Sequence, residues 1–431
     1  MNPTTLRELT GAAKAASAQS PAQSPAQSPN AGAQRSHWLS GQRLWIYPLG
    51  ALIYYVGVAL AYLYHLVWLK DPQMSVLAVD CLPFWSASHL ALQGHAADAY
   101  NLSILTPIEE HVAGRPVGVL PWLYPPTFLL FVYPLALLPF TLSAPIFLFG
   151  TLALFVKVVR TIVPHPRTAL IAIAFPGSAL VLTSGQNGLL TASLAGLGLV
   201  LLRRRPILAG LCFALVAMKP QLAVLIPLAL LASRSWRALG AMIAGVAISM
   251  AFAVLAFGTE TFVAFLHNMA LANSYVETGR ALLFRVPTLF AAFKLLHAPT
   301  ALAAAAQALS VVCAATAVCY AWGRPSAFGL RAAVLVCASL LVSPYLYDYD
   351  LAWYGILIAW VTAHAREHGF QRGQREWLAV LWLAPIAGLT LVSNLHVPFT
   401  PLISIATLWM LVAQIARERN AQAIATHATS L

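Results

Sequence analysis

The stretch LWIYPLGALIYYVGVALAYLYHLVWL, residues 44–69, decides the fold class of this chain. It contains no Asp, Glu, Lys or Arg, and it is long enough to cross about 30 Å of hydrocarbon as a helix. Similar apolar stretches recur as far as Ala416, in a chain that is 60% hydrophobic and 9% charged. Soluble domains carry roughly 25% charged residues. The sequence therefore predicts an all-α polytopic membrane protein with roughly 12 transmembrane helices of about twenty residues each.

The excess of basic residues follows the predicted membrane topology. The formal net charge is +12, from 25 Lys and Arg against 13 Asp and Glu. In a soluble protein this balance would suggest a nucleic-acid partner, but here the bases cluster in short connecting segments such as residues 203–205 and 366–375. Segments of this kind lie on the cytoplasmic side of a membrane, beside anionic lipid. We therefore expect no nucleic-acid partner.

The residue types that bind metals form no recognisable motif. The five cysteines include no CxxC pair, and no cluster of His and Cys has the spacing of a zinc site. We therefore expect no disulfide framework, no metal and no cofactor.

Composition divides the chain into three parts. Residues 1–36 are rich in Ala, Ser, Gln and Pro and repeat Ala-Gln-Ser-Pro three times, which predicts a disordered cytoplasmic tail. Residues 37–416 are predicted to form the membrane-embedded domain, and residues 417–431 a second cytoplasmic tail. Between 124 and 167, two apolar stretches compete for one crossing, because Lys157, Arg160 and Arg167 all favour the inside. One of the two stretches is therefore expected to be short or re-entrant.

The first predicted external loop, residues 70–123, is the main acidic segment. It contains five acidic residues and only Lys70 and Arg115 as bases, which is typical of an outside loop. Residues 84–92 predict a helix that lies along the membrane surface and ends at Gly94. Asp80 precedes this helix, at the point where the chain leaves the bilayer. It is a candidate catalytic base for a lipid-borne substrate, and the alternative is a surface acid that caps the helix.

Broken helices bring further polar residues to the predicted outer face. Polar groups near hydrocarbon are costly and usually line a pathway or a site, and broken helices are tolerated where they line a cavity. The breaks at residues 185–188 and 219–221 fit that rule. With the candidate catalytic base Asp80, the expected substrate-binding residues are Tyr124, Gln186, Asn187, Lys219, Gln221, Arg280, Arg285, Tyr345, Asp348 and Asp350.

This set of groups suits glycosyl transfer from a polyprenyl-phosphate sugar. A carboxylate can take the proton of an acceptor hydroxyl as that oxygen attacks the sugar. A Lys or Arg can stabilise the charge that grows on the departing lipid phosphate, and Trp and Tyr can stack on sugar faces. A donor with a single phosphate needs no acid cluster to hold Mg²⁺.

Five motifs make the chain similar to a known family. They are, in the family's order, residues 80–100, Tyr124-Pro125-Pro126, Phe175-Pro176-Gly177 with Gly185-Gln186-Asn187, Lys219-Pro220, and residues 343–351 (Ser-Pro-Tyr-Leu-Tyr-Asp-Tyr-Asp-Leu). From about residue 44 to 416, the sequence resembles the polytopic glycosyltransferases of family 87. The resemblance implies a helical bundle of the GT-C type, a polyprenyl-phosphate sugar donor, and Asp80 as general base. Many members have His where this chain has Tyr345, so the imidazole of those members has no counterpart here.

The expected protein is an inverting integral membrane glycosyltransferase. It would move a hexose, with mannose as the expected sugar, from a polyprenyl-phosphate donor to the hydroxyl of a glycolipid or glycan acceptor. Its expected partners are this donor, this acceptor and membrane lipids. The charge bias places the N-terminus in the cytoplasm and the active site at the periplasmic or exterior face of a bacterial inner membrane.

Two other functions stay open from the sequence. A secondary transporter or lipid flippase would share the broken helices and central polar residues, although it usually has internal repeats, and none is evident in this sequence. A non-enzymatic assembly subunit would tolerate replacement of Asp80, Lys219 and Asp350. At single positions, Lys219 has the simpler alternative of a lysine extending from a helix end to the membrane surface, and Arg280 and Arg285 that of binding lipid headgroups.

Overall fold

The described part of the chain is built from helices. The structure, a computed structural model, describes residue 39 and residues 41–71, 76–277 and 282–429. Within these ranges there is no β-strand, so the all-α prediction is confirmed, whereas the predicted disordered tail, residues 1–36, lies wholly outside them. The α-helices are α1 (Arg43–Leu63), α2 (Leu82–Leu92), α3 (Leu102–Ala113), α4 (Pro126–Val132), α5 (Phe140–Ile162), α6 (Thr168–Ile173), α7 (Pro176–Ser184), α8 (Gly188–Leu201), α9 (Pro206–Val216), α10 (Pro220–Ala223), α11 (Leu225–Ala232), α12 (Trp236–Phe257), α13 (Thr259–Glu277), α14 (Leu289–Leu295), α15 (Thr300–Trp322), α16 (Phe328–Val342), α17 (Trp353–His368), α18 (Gln374–Leu395) and α19 (Thr400–Thr429).

Several helices have the length and composition of membrane spans, which supports a multi-pass membrane protein. In the described ranges there are six such helices: Arg43–Trp68, Phe140–Ile162, Trp236–Phe257, Thr300–Trp322, Gln374–Leu395 and Thr400–Ala425. Five shorter apolar stretches accompany them: Pro126–Leu137, Gly188–Leu201, Pro206–Val216, Pro220–Ala232 and Phe328–Val342. The predicted number of about 12 crossings is not confirmed by helix length and stays a prediction.

The region with two competing apolar stretches contains a single helix of spanning length. α4 has seven residues and passes into a 3₁₀ turn, Tyr133–Leu137, whereas α5 has 23 residues. This agrees with the expectation that one stretch is short. Lys157 and Arg160, near the C-terminal end of α5, therefore lie at the opposite end of this helix from the Tyr133–Leu137 turn.

The helix after Asp80 is present, but it lies inside the protein. α2 has Pro83 in its first turn, which suits a helix N-terminus, and it ends shortly before Gly94, whose φ is 84°. Eight of its eleven residues are buried, in contact with α4, α5 and the Tyr133–Leu137 turn. Ser88 Oγ donates a hydrogen bond to the backbone oxygen of Tyr133 at 2.6 Å. The structure therefore has a buried helix where the sequence predicts one along the membrane surface.

The predicted breaks in the helices are both present. α7 ends at Ser184 and α8 begins at Gly188, while α9 ends at Val216 and Pro220 starts the short α10. A further break separates α6 from α7 at Phe175-Pro176. α7 and α8 pack against the 3₁₀ turn Asp348–Ala352, and α10 packs against α16. The broken ends of helices from different parts of the chain therefore converge within the bundle.

The segment after residue 416 continues the last helix. α19 extends through residues 417–429, which the sequence predicts as part of a tail. Glu418 Oε1 is 2.9 Å from Nε2 of the buried His364 and accepts a hydrogen bond from Gln414 Nε2 at 2.9 Å. The contact with His364 joins this part of α19 to α17.

Candidate active site

The loop before α2 and the loop between α7 and α8 are in backbone contact. Ala78 N donates a hydrogen bond to the backbone oxygen of Thr183 at 3.0 Å. Gly185 has a φ of 87°, in the left-handed region, and a Cβ at this position would overlap the backbone of Ala78. Glycine at 185 therefore allows the chain next to Asp80 to lie directly against the end of α7.

A second close approach joins the start of α8 to the turn before α17. A Cβ on Gly188 would overlap the backbone oxygen of Tyr349. The turn itself is closed by Asp350, whose Oδ2 accepts a hydrogen bond from the backbone N–H of Tyr347 at 3.4 Å. The sequence 347–350, in which two tyrosines alternate with two aspartates, is thereby fixed next to the Gln186 loop.

Lys219 and Asp350 form a buried ion pair. Lys219 Nζ lies 2.7 Å from Asp350 Oδ1, and the two side chains are only 4% and 2% exposed. The ammonium group also lies 4.6 Å from the centroid of the Tyr349 ring, a favourable cation–π distance. Burial raises the pKa of Asp350, while the charge and the hydrogen bond of Lys219 oppose that rise. Lys219 is thus enclosed and paired, and it offers little surface to a substrate.

Arg285 and Asp348 form a second ion pair that is more accessible. Arg285 Nε donates to Asp348 Oδ2 and Nη2 donates to Oδ1, both at 2.9 Å. Nη2 also donates to Ser184 Oγ at 3.1 Å. The Arg285 side chain is 23% exposed, and none of these three bonds uses Nη1. A bidentate pair fixes the plane of a guanidinium group, so Arg285 is a cation held in one orientation.

Asp80 lies in the electrostatic field of both pairs. Gln186 Oε1 accepts a hydrogen bond from the Tyr124 hydroxyl at 2.8 Å. Gln186 also lies near enough to Asp80 to favour the ionised form of its carboxyl group. Burial raises the pKa of Asp80, and the Arg285 charge and the nearby Gln186 side chain offset only part of this rise. Asp80 is half-buried, so the carboxyl group is positioned but accessible.

Tyr124 reaches this cluster from the aromatic part of the core. Its ring lies 4.6 Å from the ring of Phe128, 5.2 Å from Trp122 and 5.3 Å from Phe84, measured between centroids. Its backbone oxygen accepts a hydrogen bond from the Tyr100 hydroxyl at 2.8 Å. Tyr124 therefore packs its ring inside the protein and directs its hydroxyl to Gln186, an arrangement that suits an apolar ring with a polar tip.

Three residues outside the predicted site belong to this cluster. The rings of Tyr347 and Tyr349 stack with centroids 5.4 Å apart, and Arg285 lies 5.9 Å from the Tyr349 ring centroid. Burial raises the pKa of the Tyr347 phenol, with Arg285 opposing and Asp80 adding to the rise. Ser184 is the third, through its bond to Arg285. The alternation of Tyr and Asp at 347–350 was a usable signal for the tyrosines, whereas nothing in the sequence distinguishes Ser184.

The remaining predicted site residues are less well joined to the cluster. Asn187 is fully buried beside it, and neither polar atom of its side chain has a hydrogen-bond partner among the described residues. Gln221 is half-buried on α10. Tyr345 is 38% exposed and contacts the Phe290 ring edge-on at 6.1 Å. Arg280 lies outside the described residues.

The cluster contains groups for proton transfer and for binding an anion. Asp80 is a carboxyl group with a raised pKa, which suits a general base. Arg285 is an oriented cation, which suits the stabilisation of negative charge. In the described part of the chain no three His, Cys, Asp or Glu side chains are grouped as metal ligands. The site can therefore combine a base, a cation and aromatic surfaces.

Comparison with known proteins gives one match. The family model described as glycosyltransferase family 87 matches residues 122–344, which is more than half of the 431 residues. The matched range includes Tyr124, Gln186, Lys219 and Arg285, and it excludes Asp80. Searches of curated proteins and of solved structures gave no significant match. A match of this extent, on a multi-pass helical chain, shows that the protein belongs to glycosyltransferase family 87, a family of membrane glycosyltransferases.

Proposed function

We propose that this glycosyltransferase moves a hexose, with mannose as the expected sugar, from a polyprenyl-phosphate donor to an acceptor hydroxyl with inversion. The observation that carries the proposal is the position of Asp80, beside Gln186 and within the electrostatic range of Arg285. A base and a cation in one cluster are the two groups that this transfer needs, because a proton is removed and a phosphate departs.

Asp80 acts as the general base in this proposal. The acceptor oxygen forms a bond to the anomeric carbon, its proton passes to the Asp80 carboxylate, and the bond from the anomeric carbon to the phosphate oxygen breaks. Polyprenyl phosphate leaves with the bonding electrons. Attack from the side opposite the leaving group inverts the anomeric centre. The raised pKa of Asp80 supports this role, since a base is most effective when its pKa lies near the operating pH.

Arg285 is the proposed ligand of the donor phosphate. It is the more exposed of the two clustered cations, at 23% against 4% for Lys219. Asp348 and Ser184 hold the guanidinium in place through Nε and Nη2, which leaves Nη1 outside these contacts. An oriented donor stabilises developing charge without a reorganisation cost during the reaction.

Lys219 has a different proposed role. Its ammonium group is paired at 2.7 Å with Asp350 and is almost fully enclosed. We therefore assign Lys219 and Asp350 to the positioning of the turn that carries Asp348, in place of direct contact with a phosphate. Tyr347 provides an aromatic surface for the sugar, whereas Tyr124 directs only its hydroxyl to the cluster, through Gln186. Tyr345, Gln221, Asn187 and Arg280 stay candidate substrate contacts.

The acceptor in this proposal is a glycolipid or glycan that reaches the outer face of a bacterial inner membrane. The acidic first loop and the basic segments at the other ends of the spans support a periplasmic or exterior site and a cytoplasmic N-terminus. The donor lipid and the surrounding membrane lipids are the other partners.

The experiment is a transfer assay with the full-length protein reconstituted in lipid. Labelled polyprenyl-phosphate mannose is supplied with a membrane-lipid extract, and wild type is compared with Asp80→Asn and Asp98→Asn. Asp98 is the matched control, because it lies in the same external segment but is 42% exposed and paired with His95. We expect label to move into a new glycan with wild type and Asp98→Asn, and not with Asp80→Asn.

Other outcomes of this assay would each change the proposal. Full transfer by a folded Asp80→Asn protein would remove Asp80 as the base while keeping the enzyme. Transfer only from glucose- or arabinose-type donors would change the sugar. Movement of the intact donor across the vesicle membrane, without a covalent product, would favour a flippase, whose broken helices this chain shares.

A further inference from the structure

A basic groove lies at the end of α5 that is remote from the candidate active site. Its volume is 680 Å³, within the range of roughly 300–1,000 Å³ typical of small-molecule sites. The last turns of α5 and the segment that follows it line the groove. The lining residues are Ala153, Val156, Lys157, Arg160, Thr161, Pro164, His165 and Pro166.

The position of the groove along α5 separates it from the transfer site. α5 begins at Phe140, two residues after Leu138, whose backbone oxygen accepts a hydrogen bond from Trp85 Nε1 on α2 at 2.8 Å. Lys157 follows Phe140 by 17 residues (157 − 140), which is about 26 Å along a helix. This is close to the thickness of the hydrocarbon core, about 30 Å. The groove therefore lies at the opposite membrane surface, which the charge bias assigns to the cytoplasm.

The groove has a one-sided charge. Lys157 and Arg160 are exposed on its wall, and no acidic residue lines it. Within the described residues, no carboxylate forms an ion pair with either base. Arg167 and Arg366 add to the positive field, since burial and then these two charges lower the pKa of His165. A site with several bases and no acid is complementary to an anion.

The rest of the lining has the character of a lipid contact. Ala153 and Val156 lie on α5 above the bases, on the side toward the hydrocarbon, and present apolar surface. An apolar wall that leads to a basic rim at the membrane surface matches the two parts of a phospholipid, its acyl chain and its phosphate. Bases in the last turn of a helix are also favoured by the helix dipole. The helix dipole does not account for the groove, nor for His165 and Arg167, which follow the end of α5.

We propose that this groove binds one anionic phospholipid at the cytoplasmic face, with the phosphate on Lys157 and Arg160 and an acyl chain along Ala153 and Val156. The site is separate from the donor site and does not depend on the proposed transfer reaction. Anionic lipid of the inner leaflet is the source of the phosphate in this proposal, because the groove opens where the spans meet that leaflet.

The test is lipid retention by the purified full-length protein, measured by native mass spectrometry in a neutral detergent. Dioleoyl phosphatidylglycerol is titrated against wild type, a Lys157→Gln/Arg160→Gln double variant, and an Arg204→Gln/Arg205→Gln double variant. Arg204 and Arg205 are the matched control, because they are two exposed bases on another predicted cytoplasmic turn and do not line the groove. Dioleoyl phosphatidylcholine and inorganic phosphate are the comparison ligands.

We expect wild type and the Arg204/Arg205 variant to retain one tightly bound phosphatidylglycerol. The Lys157/Arg160 variant should bind it roughly thirtyfold more weakly, since each basic residue near an anionic lipid surface contributes about a fivefold gain. Equal retention by the Lys157/Arg160 variant, or equal loss in both variants, would overturn the proposal. So would equal retention of phosphatidylcholine, or saturation of the site by inorganic phosphate. An unchanged apparent melting temperature in neutral detergent shows that each variant is folded.

Discussion

The Lys219–Asp350 ion pair allows a quantitative test of the assignment of these residues to positioning. Lys219 Nζ and Asp350 Oδ1 are 2.7 Å apart, and both side chains are almost completely buried. Removing one partner of such a pair leaves an uncompensated buried charge, which costs about 3–5 kcal/mol. Replacing both partners by uncharged residues removes that penalty and is often close to neutral.

The perturbation is a double-mutant cycle of Lys219→Met, Asp350→Asn and their combination. Asn at 350 keeps an acceptor for the Tyr347 N–H, so the change removes mainly the charge. We expect each single variant to lose about 3–5 kcal/mol of unfolding free energy. The combined variant should recover most of this loss, apart from roughly 0.5–2 kcal/mol for the lost contact of the ammonium with Tyr349.

The assay is unfolding by sodium dodecyl sulfate titration in mixed micelles, followed by tryptophan fluorescence. His95→Gln and Asp98→Asn form a control cycle on an exposed pair 3.7 Å apart, where the coupling should not exceed about 1 kcal/mol. If the losses of Lys219→Met and Asp350→Asn add within about 0.5 kcal/mol, the two charges are not coupled and the reasoning fails.

Three further predictions concern two residues of the site and one buried acid outside it. Arg285→Gln should lower kcat/KM roughly a hundredfold in the transfer assay, as expected for the loss of one donor to a developing anion; a change below about threefold would exclude Arg285 from the donor site. Gln186→Leu removes an amide group that lowers the pKa of Asp80, so the acidic limb of the kcat/KM–pH profile should move to higher pH, and an unmoved limb would contradict this effect of Gln186 on Asp80. Glu109 is fully buried, with no partner for either carboxyl oxygen among the described residues, and burial raises its pKa to about 8 from 4.5. The folded state therefore favours the protonated form, so the unfolding free energy should fall as pH rises from about 4.5 through 8. Glu109→Gln should flatten this dependence in detergent titrations at several pH values, and an unchanged slope would show that Glu109 does not titrate there.

The sequence was informative about which residues gather at the site because polar groups are rare in this chain. Gln186, Lys219 and Asp350 each interrupt an apolar stretch, and each lies in the cluster. A polar group near hydrocarbon is energetically costly and usually serves a site or a pathway, whichever residue it pairs with. Hydropathy did not place α2 correctly, because an apolar helix can be buried by protein as readily as by lipid.

What the sequence by itself determined is the membrane class, the first long apolar helix and the breaks at residues 185–188 and 219–221. These features depend on hydropathy and on Pro and Gly, which act locally. Only the tertiary structure decided which charges pair. Lys219 meets Asp350 across 131 residues, and Arg285 meets Asp348 across 63. The two acids lie two residues apart, so the sequence allows either base to pair with either acid. The packing of α7, α8 and α10 decides which base is buried and which stays accessible.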